Sequence, residues 1–147
     1  YTFSLVIILR LVMSNRDDIV KKLKSSGVTP TNQRVEIAQI LFARPQHLSA
    51  EQILKMVNDE SSSTASKATI YNTLGLFAKK GLVKEVIVDP SKVFYDSNVS
   101  KHFHFFNTDT GVLTDIPVDA INIDKLPELP GGTVSSGLEV IVRIQNS

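Results

Sequence analysis

Four short helical patterns follow one another in the first two thirds of the chain, and their order limits the fold more than any other feature. Between Arg16 and Lys80, apolar residues recur three and four positions apart in four separate runs, which is the spacing of one buried helix face. Gly27 and Gly81 close the first and fourth runs, and the second ends before Pro45. The third begins with a capping box at residues 49–52. These boundaries predict four short helices.

Strand-forming residues dominate the chain after the fourth helix. Residues 82–88 and 93–95 flank a turn at 89–92, and residues 103–106 and 112–116 flank a second turn at 108–111, so two hairpins are predicted. A last strand alternates in polarity from Leu138 to Ile144. Three prolines and two glycines lie between residues 117 and 132, which leaves room for a short helix near 118–121 at most. The order predicts an α+β fold.

The predicted elements divide the chain into two domains. Residues 13–97 would form a winged helix-turn-helix domain, and residues 98–147 a small α/β domain. Residues 1–12 are interpreted as an extension from an early start site, because Met13 reads like a natural first residue; the alternative is an extra strand or arm. The apolar run at residues 5–12 is too short to cross a bilayer, so we expect a cytoplasmic protein without a membrane partner.

Charge and cysteine content limit the partners and the ligands. Residues 13–98 contain 12 Lys and Arg against 9 Asp and Glu, a net of +3, whereas residues 99–147 contain 3 against 6, a net of −3. The basic excess therefore lies in the predicted winged helix. The chain has no cysteine, which excludes disulfides and thiolate zinc sites. Any bound metal must be held by nitrogen and oxygen atoms.

The fourth predicted helix carries side chains that can read DNA. A helix in the major groove needs small or polar residues in its first turns and cations beside them for phosphates. The predicted set is Lys67, Thr69, Tyr71 and Asn72 on the helix, with phosphate contacts from Arg34, Lys84 and Lys92. Two other interpretations stay open: a generic α+β domain with solvated lysines, and a winged helix that binds protein.

A metal site is predicted in the second hairpin. His102 and His104 lie two residues apart in a strand, so their side chains point to the same face. If the turn centres on residues 109 and 110, Asp115 lies directly opposite His104, and two imidazoles and a carboxylate converge. The alternative is an ordinary surface pair of histidines.

Two residues from the first domain could reach the same site. Asp96 follows the first hairpin, and His47 lies in the predicted loop before the third helix. The donor set suits Fe(II), Mn(II) or Zn(II) and does not distinguish among them. Ligands from both domains would couple metal binding to the orientation of the domains.

The chain resembles the ferric uptake regulator superfamily, and within it the iron response regulator (Irr) branch. The resemblance runs from about Gly27 to Ile144 and includes the landmarks at residues 28–34, 47–51, 68–74, 94–96, 102–106, 115–117, 122–123 and 126–127. It implies a transcriptional regulator of iron homeostasis that binds an inverted-repeat operator as a homodimer, with the second domain serving dimerisation and metal sensing. It also implies metal ligands at His47, Asp96, His102, His104 and Asp115.

Departures from the family pattern narrow these expectations. Many relatives hold a structural zinc with two Cys-x-x-Cys pairs, but Asn107 and Thr110 stand where the first pair would be. Phe103 interrupts the histidine run of haem-linked relatives, and the chain has no cysteine, so both features argue against a haem-responsive regulator. No histidine follows His104, which argues against a second, peripheral metal site.

Three further functions compete with iron regulation. One is a peroxide sensor in which bound Fe(II) drives the oxidation of His102 or His47 by peroxide. Another is a haem-responsive regulator, with haem as a possible but disfavoured ligand. The third is a metal-dependent hydrolase with an open coordination position. Spacing places no general base for a hydrolase, and we therefore expect a protein that is not an enzyme.

Overall fold

A computed structural model describes residues 15–60 and 64–147, without the side chain of Glu60. The chain forms two compact units that divide between Val99 and Ser100. The extension expected at residues 1–12 lies outside the described residues. In the described ranges, no helix is long and apolar enough to cross a membrane.

Four helices form most of the first unit, as the sequence predicts. They are α1 (Arg16–Ser25), α2 (Asn32–Phe42), α3 (Ala50–Glu60) and α4 (Lys67–Lys79). Side-chain oxygens of Asn15, Thr31 and Ser66 accept hydrogen bonds from backbone amides at the starts of α1, α2 and α4. At the start of α3, the Ser49 amide donates to Gln52 and the Gln52 amide donates to Ser49. The predicted capping box is therefore confirmed.

One hydrophobic core holds these helices together. The apolar stripe of α4, formed by Ile70, Leu74 and Phe77, is fully buried. It packs in one cluster with side chains from α1, α2 and α3, including Leu23, Leu41 and Ile53. Because the apolar stripe is fixed in this core, the opposite face of α4 carries its polar residues outward.

A three-stranded antiparallel sheet completes the first unit. Its strands are β1 (His47–Ser49), β2 (Lys84–Asp89) and β3 (Lys92–Asp96), in the order β1-β3-β2. The hairpin of β2 and β3 was predicted, but the placement of His47 in a loop is wrong, because β1 pairs with β3. Three residues are too few to show the alternation by which a strand is recognised in a sequence.

The second unit is a three-stranded sheet with one short helical turn. Its strands are β4 (His102–Asn107), β5 (Leu113–Pro117) and β6 (Ile141–Ile144), in the order β5-β4-β6, and a 3-10 helix spans Val118–Ala120. Strand β6 lies parallel to β4 and is shorter than the predicted run from Leu138. The predicted hairpin register is confirmed, since His104 pairs with Asp115.

Asn107 fixes the turn that sets this register. Its Oδ1 accepts hydrogen bonds from the amides of Asp109 and Thr110, and its Nδ2 donates to Asn146 over 2.9 Å. The Asn146 amide in turn donates to Asp109, and Gly111 closes the turn with a φ of 73°, which favours glycine. Hydrogen bonds that involve Asn107 and Asn146 thus stabilise this turn.

We predict that Asn107→Ala lowers the free energy of unfolding by about 1 kcal/mol, because the two amides lose an acceptor inside the protein. Urea denaturation followed by circular dichroism measures the change. Asn107→Asp is the matched control, since it keeps the acceptor oxygens of the turn and loses only the donor to Asn146. Equal stability of the Ala variant and the wild type would contradict this role.

Candidate metal centre

The first unit contributes a histidine and a carboxylate that antiparallel pairing brings together. His47 in β1 and Asp96 in β3 are register partners, and His47 Nε2 lies 3.5 Å from Asp96 Oδ2. The Asp96 side chain is buried, with 1% exposure, and Oδ1 accepts a hydrogen bond from the Asn98 amide over 2.9 Å. This bond orients the carboxylate and directs Oδ2 toward the histidine.

The second unit contributes three further donors in one cluster. His102 and His104 project from the same face of β4, and Asp115 lies opposite on β5. The Nε2 atoms of His102 and His104 lie 3.4 and 3.5 Å from the same oxygen, Oδ1 of Asp115. The ligand atoms of the three residues lie within 4.8 Å of one another. This His/Asp group could hold one metal ion.

The backbone sets the orientation of one imidazole in this cluster. His102 Nδ1 lies 2.7 Å from the carbonyl oxygen of Ser100. A carbonyl oxygen can only accept, so Nδ1 donates this hydrogen bond, and Nε2 is the ring nitrogen that faces Asp115. Metal-binding histidines are commonly held in this way by a partner on the other ring nitrogen.

Burial and donor type both fit a divalent cation. His102 and His104 are buried, whereas the Asp115 side chain is 48% exposed. All three histidines of the chain belong to the two groups described. Imidazole and carboxylate ligands without thiolate suit iron, manganese and zinc. A bound ion would supply positive charge that holds these acceptors together.

The outward face of α4 presents the residues predicted to read DNA. Lys67, Tyr71 and Asn72 are exposed and Thr69 is half-buried. The Thr69 hydroxyl lies 2.9 Å from the Ser66 hydroxyl. Tyr71 donates a hydrogen bond to Glu51 at the start of α3.

The predicted phosphate-binding residues have different surroundings. Arg34 Nη1 donates to the carbonyl oxygen of Thr29 over 2.9 Å, so part of its guanidinium stabilises the segment before α2. Lys84 is half-buried and Lys92 is exposed on the β2–β3 hairpin. Their contact with DNA stays a prediction.

Sequence reasoning missed Glu51 as a neighbour of Tyr71. The sequence shows Glu51 only as a member of the capping box at residues 49–52. A contact between residues twenty positions apart depends on how α3 packs against α4, and neither helix pattern reveals that packing. The hydrogen bond lowers the pKa of Glu51 and raises the pKa of Tyr71, because it forms between an ionised carboxylate and a protonated phenol and stabilises both of these states.

A helical unit with a β-hairpin, followed by a sheet that carries a His/Asp metal group, defines the class of the protein. Residues 25–128 match the ferric uptake regulator family. The chain therefore belongs to the ferric uptake regulator family.

Individual relatives agree with this assignment. The peroxide-responsive repressor PerR of Staphylococcus aureus is 29% identical over 113 residues, which cover 76% of each protein. The chain has the fold of the Pseudomonas aeruginosa ferric uptake regulator with manganese (TM-score 0.62, 21% identity, 86% of this chain and 96% of that chain). The same holds for the Francisella tularensis regulator with iron (TM-score 0.64, 19% identity, 82% and 92%). These relatives are named as regulators and a repressor.

We predict that Asp115→Asn lowers the affinity for Mn(II) at least about tenfold, because an amide oxygen replaces an anionic ligand while the exposed position preserves the fold. Isothermal titration with metal-free protein measures the affinity. Asp119→Asn is the matched control, since it removes the same charge from an exposed position in the 3-10 helix. Similar losses in both variants would show a general charge effect and argue against Asp115 as a ligand.

Proposed function

We propose that the protein is a metal-responsive, DNA-binding transcriptional regulator of iron homeostasis. It acts in the cytoplasm as a homodimer on an inverted-repeat operator. The observation that carries the proposal is the convergence of His102, His104 and Asp115 on one point of a sheet in a chain that also presents a polar recognition-type helix. Membership of the Irr branch is the finer form of this proposal, and it rests on the resemblance that runs from about Gly27 to Ile144.

We further propose that one ion takes ligands from both units, namely His47, Asp96, His102, His104 and Asp115. Each unit presents its own residues already paired, His47 with Asp96 and both other histidines with Asp115. An ion shared by the two groups would favour one orientation of the DNA-binding unit over others. Metal would then change DNA affinity by stabilising one of two arrangements.

DNA binding is assigned to α4 and the hairpin of β2 and β3. The polar face of α4 offers Thr69, Tyr71 and Asn72 for base edges and Lys67 for phosphate. Arg34, Lys84 and Lys92 supply further cations, whose contribution would weaken as salt concentration rises. A helix fixed by a buried apolar stripe can present such side chains without rearrangement.

Dimerisation is assigned to the second unit. Phe105 and Val142 are neighbours across the β4–β6 pair, and each is 37% exposed. Ile144 lies two residues further along β6 and is 39% exposed, so it lies on the same face. A contiguous apolar face of this kind is typical of a surface that another chain covers.

We predict that Mn(II) changes the affinity of the wild-type protein for its operator, and that His102→Ala removes this change without unfolding the protein. The operator would be a duplex selected from a random library in the presence of metal. Binding is measured by fluorescence anisotropy with metal-free and metal-loaded protein, and again with Fe(II) and Zn(II). A metal response that survives in His102→Ala would refute the assigned site. Sequence-independent binding by the wild type would refute operator recognition.

A peroxide-sensing repressor is the second candidate, favoured by the similarity to PerR of Staphylococcus aureus. In this case bound iron would direct oxidation to a ligand. We predict that Fe(II) and hydrogen peroxide together add the mass of one oxygen to the peptide that contains His102 or His47. Mass spectrometry of digested protein measures the change, and Mn(II)-loaded protein is the control. If no oxygen is added while the metal response of DNA binding is intact, the peroxide function is excluded.

A further inference from the structure

Glu51 and Tyr71 form a side-chain hydrogen bond on the surface of the first unit. The Tyr71 hydroxyl donates to Oε1 of Glu51 over 2.7 Å. Both side chains are exposed, Tyr71 by 40%, so the pair does not serve to satisfy a polar group inside the core. It places a carboxylate beside a residue proposed to contact DNA, where negative charge opposes binding.

Local structure keeps Glu51 ionised in this position. Glu51 lies in the first turn of α3, where the helix dipole favours a negative charge. The pKa of its carboxyl is lowered by the hydrogen bond from Tyr71 and then by a hydrogen bond from the backbone. The capping box formed by Ser49 and Gln52 fixes the start of the helix. The acceptor for Tyr71 is therefore an ionised carboxylate at the start of a helix whose backbone the capping box fixes.

This bond restricts what Tyr71 can do at a DNA surface. A phenol hydroxyl can donate one hydrogen bond, and Tyr71 donates it to Glu51. Phosphate oxygens only accept hydrogen bonds, so the bonded Tyr71 hydroxyl cannot bind them. The ring can still contact a thymine methyl group, and the hydroxyl lone pairs can accept from an adenine or cytosine amino group. Hydrogen-bond donation to phosphate is therefore excluded for the bonded Tyr71, whereas contacts with base edges remain available.

A neighbouring lysine lies close to the ring of Tyr71. The Lys67 ammonium lies 5.8 Å from the centre of the Tyr71 ring, one helical turn before it on α4. This distance lies within the range of a cation–π interaction. The ring of Tyr71 thus has Lys67 near its face, while its hydroxyl is held by Glu51.

We infer that Glu51 is a positioning residue that determines operator specificity: by accepting the hydrogen bond of the Tyr71 hydroxyl, it directs Tyr71 to base contacts and prevents its hydroxyl from donating to phosphate. The inference rests on the proposed DNA-binding function of α4. It adds a role for Glu51, a residue outside the predicted DNA-binding set.

The test compares two DNA probes with the full-length, Mn(II)-loaded protein. One is a duplex selected from a random library by the wild-type protein, and the other is a scrambled duplex of equal length and composition. The readout is the specificity ratio, which is the dissociation constant for the scrambled duplex divided by that for the selected duplex. We expect Glu51→Ala to lower this ratio about tenfold, the order of one base contact, with tighter binding to the scrambled duplex. Circular dichroism and metal stoichiometry should match the wild type, because the side chain is exposed.

Glu51→Gln separates the hydrogen bond from the charge. Glutamine keeps an oxygen that can accept the hydrogen bond from Tyr71, but it has no negative charge. We expect affinity for both duplexes to rise while most of the ratio is retained. A ratio that falls as far in Glu51→Gln as in Glu51→Ala would show that charge, and not the hydrogen bond, sets specificity.

Tyr71→Phe tests whether Glu51 acts through Tyr71. We expect no further change in the ratio when Glu51→Ala is added to Tyr71→Phe, because no hydroxyl is left to release. Independent effects of the two substitutions would overturn the inference, as would an unchanged ratio in Glu51→Ala. A wild-type protein that binds both duplexes equally would overturn the proposed function itself. Discrimination by the wild type and by Glu51→Ala alike would overturn only the role of Glu51.

Discussion

Antiparallel strand pairing is the constraint on which the candidate metal centre depends. In the second unit, pairing of β4 with β5 places Asp115 opposite His104, and alternation along β4 puts His102 on the same face. In the first unit, pairing of β1 with β3 places His47 opposite Asp96. A slip of one residue in either pair would move a ligand to the other face of its sheet. The turn held by Asn107 therefore matters to the chemistry of the site as well as to stability.

Most of the fold could be predicted because its signals are local. Caps and stop residues mark α1 to α4, and the turn at residues 108–111 sets the register that pairs His104 with Asp115. Strand β1 could not be predicted, since three residues show no periodicity and its pairing with β3 joins segments almost fifty positions apart. The parallel pairing of β6 with β4 is equally non-local. Long-range pairing depends on tertiary packing, which short sequence patterns do not reveal.

The candidate site, like the fold, could be predicted from the sequence only where its signals are local. Spacing alone predicts the cluster of His102, His104 and Asp115, whereas the role of Ser100 in orienting His102 depends on a backbone carbonyl that no sequence pattern marks. The contact between Glu51 and Tyr71 likewise arises from the packing of two helices. Residue types predict which chemistry is available, and packing decides which side chain each group meets.

The proposed coupling of metal to DNA binding requires one ion that takes ligands from both units. A crystal structure of the Mn(II)-loaded protein, with anomalous differences measured at the manganese edge, locates that ion and its ligands. We expect one strong peak per chain in this centre, in direct contact with donor atoms from the His47–Asp96 pair and from the His102, His104 and Asp115 cluster. A manganese ion held by residues of one unit only, or located away from these five residues, would contradict the coupling.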